Sequence, residues 1–203
     1  WDNPKGLDYG TAFGNYMQKN SIYVLNRGYN IDGTLSGYKK IFIDSVNTEY
    51  YSIIYSDLDN SNTRTIQVPK DSSTNFQYLS INTNSIINLE PNKNEWDLLF
   101  TPYTTLYNDP ETPPSYLVRG VLTNYLNGVL VAKDSLRIFE DINYDMIGSY
   151  IFSNHQNKIG YDWKTYIMNE QPGYYLVNPQ ISYIIKNVSN RYFKLRFIDF
   201  YKE

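Results

Sequence analysis

Apolar and polar positions alternate over short stretches of this chain, with polar turns between them. Thr63, Thr65 and Gln67 fall on one side of an extended backbone, Ile66 and Val68 on the other, and Pro69 ends the run. A period of two is the signature of a half-buried strand. Glu49 to Asp57, rich in Tyr and Ile, predicts a second strand. The turn-forming cluster Asp57 to Asn62 joins the two as a hairpin. Tyr38 to Ser45 predicts a strand ahead of them, and Phe76 to Leu89 one or two short ones. Trp96 to Tyr107 reads as a strand broken or kinked by Pro102. Asn108 to Pro114 carries three prolines and reads as an exposed loop. Tyr116 to Leu122 and Gly128 to Ala132 resemble a hairpin turning at Asn124 to Asn127. Ser149 to Phe152, Trp163 to Met168, Tyr174 to Val177, Tyr183 to Lys186 and Tyr192 to Tyr201 complete the predicted strands.

In the last of these, Phe193, Leu195 and Phe197 share one face and Lys194 and Arg196 the other. Ile198 and Phe200 break that parity, which predicts a bulge near Ile198-Asp199 or burial of both faces. One helix is expected, with Asp141 as N-cap, Ile142, Met146 and Ile147 at helical spacing, and Gly148 at its end. Residues 1–37 hold Gly6, Gly10, Gly14, Gly28, Gly33 and Gly37 and read as an irregular N-terminal arm. Residues 38–203 read as one all-β domain, a single antiparallel sheet or sandwich with one or two short helices.

Hydrophobic residues make up 41% of the 203 positions and charged residues 19%, which places the chain among globular proteins. The net charge of -3, without a basic run, argues against nucleic-acid binding. Cysteine is absent, which removes disulfides, thiol catalysis and thiolate metal sites. His155 is the single histidine, so a three-His metal centre is impossible. The 22 tyrosines suit half-wet sheet faces and binding surfaces alike. No apolar run is long enough to span a membrane. The chain begins at Trp1 rather than Met, which leads us to expect a processed form that has lost an export signal or lipid anchor.

Three stretches carry a resemblance: Trp96-Asp97, then Gly160-Tyr161-Asp162-Trp163-Lys164, then the closing run Tyr192 to Tyr201. Their order and spacing resemble the HmuY family, haem-binding surface lipoproteins of Gram-negative bacteria, over roughly residues 90–203. The resemblance implies an all-β, cupped-hand fold that captures haem and passes it to an outer-membrane receptor. It implies a place at the cell surface, in the periplasm or in the medium, with membrane attachment only through an N-terminal lipid. It also implies a further short strand beyond Glu203. Family members ligate the iron with paired His or paired Met. Here the position after Trp96-Asp97 reads Phe100-Thr101-Pro102-Tyr103, and the lone His155 excludes a bis-His site within one molecule.

The candidate axial ligands are therefore His155, in a polar segment expected to be exposed, Met168 at a strand tip, and Met146 in the expected helix. Met17 lies apart, in the N-terminal arm. Arg119, Lys133, Lys158 and Lys164 are the cations that could pair with haem propionates. Each also has an ordinary structural reading, as a solvated side chain or core filler. Two rival readings stand beside haem capture. A carbohydrate- or peptide-binding module would use exposed Tyr and Trp for stacking and Asn for hydrogen bonds. An enzyme would use Asp97 and Asp162 as paired carboxylates, and it ranks last. The expectation is a binding protein, not an enzyme.

Overall fold

The computed structural model describes residues 2–6, 10–14, 21–106, 115–169 and 171–201. Met17 and the expected loop Asn108 to Pro114 lie outside the described residues. The fold is all-β; among the described residues the pairing is antiparallel and the helices are short 3-10 turns. Contacts group the chain into two compact units, Ala12–Lys93 and a second that joins Trp1–Thr11 to Asn94–Glu203.

In the first unit, β1 (Ile22–Asn26), β2 (Tyr38–Val46), β3 (Tyr50–Ser56) and β4 (Arg64–Pro69) form a four-stranded sheet in chain order. β4 buries Val68 and half-buries Ile66 while Thr65 and Gln67 face solvent, as its alternation predicts. Asn60 and Asn62 turn the chain with φ of 73° and 53°, a region Asn tolerates. β1 corrects the irregular arm expected over residues 1–37. Its Ile22 and Val24 are exposed, so no buried face marks it in the sequence; backbone pairing with β2, from Ile22↔Phe42 to Asn26↔Tyr38, makes it a strand. β5 (Tyr78–Ser80) and β6 (Ser85–Ile87) add a small hairpin.

In the second unit, β7 (Leu98–Leu106) pairs with β8 (Ser115–Thr123) as a two-stranded ribbon. β10 (Lys164–Ile167) pairs with β11 (Tyr174–Val177). β9 (Leu130–Asp134), β12 (Ser182–Lys186) and β13 (Tyr192–Arg196) form a sheet with β12 in the centre. Pro102 does not break β7. It sits opposite Arg119 in continuous register, and among the described residues β7 pairs with β8 alone, where an open edge tolerates the missing N–H.

β8 and β9 are not the expected hairpin. Asn124 is buried; its backbone N–H donates to Asp97 O and its side-chain amide to Trp96 O. The outer edge of β8 is taken instead by the segment 156–160, through Thr123 N–H to Gln156 O and a bridge between Val121 and Gly160. That bridge explains Gly120. A Cβ there would lie 2.4 Å from the Gly160 carbonyl oxygen.

β12 is buried on both faces. Tyr183 and Ile185 join Val121, Val131, Ile159 and Trp163 in the main core, while Ile184 joins Ala132 and Ile142 on the opposite face. The second face also changes the expected helix. Ile142 is buried with extended backbone, so no helix starts at Asp141. Two 3-10 turns form in its place, Phe139–Asp141 and Tyr144–Ser149, and the second is capped by the side chain of Asn143. Lys194 then covers this layer and donates to the carbonyls of Phe139 and Ile142. β13 ends at Arg196 without the expected bulge. Asp199 Oδ1 accepts from the N–H groups of Phe200 and Tyr201 and turns the chain, leaving Phe197 and Phe200 beside Trp163. The strand expected at Ser149 to Phe152 is reduced to one bridge, Val131 to Ser153. No helix among the described residues is long and apolar enough to cross a membrane.

Candidate functional site

Trp163 precedes β10 and is only 5% exposed. Its indole N–H donates to Gly160 O at 3.2 Å, and its ring stacks on Phe197 with centroids 3.8 Å apart and planes 10° from parallel. Phe200 leans on the same indole at 6.0 Å, and Phe100 meets Phe197 edge-on at 6.5 Å. These rings form one wall of a recess of about 340 Å³, completed by Pro102, with Arg119 and Asp199 at its polar positions. Phe100 is 64% exposed, and Leu117, on the same face of the ribbon, is exposed as well. Exposed large apolar side chains beside an apolar recess mark a contact or binding surface.

A second recess, of about 530 Å³, shares Arg119 and is lined by Tyr116, Tyr161, Lys164, Tyr166 and Tyr175. Lys164 is 7% exposed, and its ammonium donates to Arg119 O. It lies over the rings of Trp163 at 4.3 Å, Phe200 at 4.9 Å and Tyr175 at 5.4 Å. Burial, and then the guanidinium of Arg119, hold Lys164 below the ordinary lysine value.

His155 lines a third, polar recess with Tyr103, Thr105, Lys158, Tyr161 and Asp162. It is half-buried rather than exposed as expected, because the segment 153–160 is bridged to β8 and β9. Burial, and then the charges of Lys5 and Lys158, keep it below the ordinary imidazole value. Met146 is half-buried in the turn Tyr144–Ser149, and Met168 stands 74% exposed just beyond β10. The recess that His155 lines contains neither methionine. Asp162 is paired with Lys133 at 2.7 Å, and Asp97 does not share its recess. Of the four cations singled out for propionates, Arg119 and Lys164 come together, while Lys133 is taken by Asp162 and Lys158 sits with His155.

The sequence did not single out the aromatic wall. Phe100, Trp163 and the pair Phe197 and Phe200 are far apart in the chain, and only Trp163 and the closing run carry any signal. For haem, the apolar walls and Arg119 suit a macrocycle and its carboxylates. The iron does not fit equally well, since no imidazole or thioether lines the aromatic recess. Comparison with family models, with curated proteins and with solved structures finds no match.

Proposed function

We propose that this chain is a ligand-capture protein of HmuY-like type, without catalytic activity, whose ligand is flat, largely apolar and anionic. Haem is the ligand the resemblance implies. The observation that supports this reading is the recess built from Phe100, Pro102, Trp163, Phe197 and Phe200 with Arg119 beside it. Stacked and edge-on rings give a hydrophobic slot, and a guanidinium pairs with carboxylates in a bidentate fork. In this reading the porphyrin lies against the rings, its propionates turn to Arg119, and capture delivers the ligand to a partner at the cell surface. The axial-ligand set His155, Met146 and Met168 gives way to contacts with the macrocycle itself.

Haem titration followed at its Soret band tests this. The parent binds; Phe100→Ala, which removes an exposed ring at little cost to the fold, weakens binding about tenfold; His155→Ala and Met168→Ala leave it unchanged. Absence of any Soret change in the parent excludes haem. Loss of binding in His155→Ala or Met168→Ala returns the site to those residues.

A further inference from the structure

Lys164 is a buried cation with no counter-ion among the described residues. Among the described residues it makes no ion pair, and neither does Arg119. Among the described residues, no acidic side chain lines the recess the two share. Burying a charge is costly unless it is paired, and hydrogen bonds are one form of relief. The carbonyl of Arg119 and the faces of three rings take up part of that demand. Among the described residues the recess gains no anion, because Arg119 adds a second cation.

The walls say what kind of anion fits. Lys164 and Tyr166 alternate on β10 and so share a face, and Tyr175 stands opposite Tyr166 in the register with β11. The rings of Tyr166 and Tyr175 meet at 5.0 Å. Tyr116 comes from β8, and Tyr116 and Tyr166 are each about half exposed. Each ring offers a flat apolar face and a phenol that both donates and accepts. Inorganic phosphate would leave these faces unused. A wholly apolar ring would leave the phenols unused and suits the neighbouring slot of Phe100 and Phe200 better. A sugar ring uses both, with C–H faces against the tyrosines and hydroxyls toward the phenols.

We infer that the recess between β8 and the β10–β11 hairpin binds an acidic saccharide, its uronic carboxylate held by Lys164 and Arg119 and its ring stacked on Tyr116 and Tyr166. This goes beyond haem capture, with which it shares Arg119 alone of the residues it names.

The test is calorimetric titration of the whole chain with a panel of galacturonate, glucuronate and mannuronate oligosaccharides and their neutral counterparts. At least one acidic oligosaccharide binds, its neutral counterpart binds about tenfold more weakly, and added salt lowers the affinity. Lys164→Met and Tyr166→Ala each weaken binding about tenfold. Circular dichroism reports whether Lys164→Met folds; should it not, Tyr166→Ala and Tyr116→Ala decide, because both rings are half exposed. Failure of every acidic member to bind overturns the inference. So does parent affinity in Tyr166→Ala and Tyr116→Ala together, or equal affinity for acidic and neutral chains. Haem binding by Phe100→Ala reports on the other recess, so either reading can fail alone.

Discussion

Replacing Trp163 with alanine removes the side chain on which three features converge. It is 5% exposed in the main core, stacks on Phe197 at 3.8 Å, and carries the ammonium of Lys164 over its face at 4.3 Å. Truncating a buried Trp to Ala costs about 3–5 kcal/mol. A stacked aromatic pair adds about 0.5–1.5 kcal/mol beyond its area, which places this site in the upper part of that range, at about 4–5 kcal/mol. The lost hydrogen bond to Gly160 O falls within the same figure. For a chain of this size about 1 kcal/mol shifts the melting point by roughly 2–4 °C, so a fall on the order of 10 °C follows. Urea unfolding followed by near-ultraviolet circular dichroism, on the transition of the unit holding Trp163, gives the free energy. Trp163→Phe keeps a ring against Phe197 and costs about 1–2 kcal/mol, most of it the indole hydrogen bond and lost volume. A loss below about 1 kcal/mol for Trp163→Ala would refute the burial and the stack together, because no exposed tryptophan supports a larger one.

Gly120→Ala would press a Cβ to 2.4 Å from the backbone oxygen of Gly160, against an atom that cannot swing away. Overpacking of that kind costs about 1–3 kcal/mol, read as a lower urea midpoint at unchanged slope. Asp134 is buried; burial alone would raise its carboxyl, but hydrogen bonds from Tyr150, the Leu136 N–H and Arg137 outweigh it and hold the pKa at about 2. A depressed carboxyl stabilises the fold fully above its unfolded value and loses that contribution as pH falls through the folded one. Stability therefore drops by about 2 kcal/mol between roughly pH 4 and pH 2 in the parent. Asp134→Asn flattens that part of the profile, and a parent-like slope in the variant would remove Asp134 as its source.

The sequence reached furthest where pairing is local. β2, β3 and β4 are neighbours in the chain, β4 alternates cleanly, and Asp57 to Asn62 supplies the turn. Partner choice at long range was not legible. The turn at Asn124 to Gly128 was visible, but nothing local says that β8 pairs with β7 and the segment 156–160, or that β9 pairs with β12. Ile142, Met146 and Ile147 have helical spacing, yet Ile142 is held extended by the core on the outer face of β12. The same limit applies to the site. Arg119 and Lys164 could be named as cations, and Trp163 as core. Phe100 and Phe200 could not be brought to Trp163, because an Asp199 turn and a ribbon far away in the chain place them there.

Hydrogen exchange with and without haem tests the central claim, capture in the aromatic recess, most directly. Haem is predicted to slow exchange in Leu98–Thr101 of β7 and in Ile159–Lys164, with the turn Tyr144–Ser149 and the tip at Met168 unchanged. Protection confined to His155, Met146 and Met168, or no protection anywhere in the chain, would contradict it.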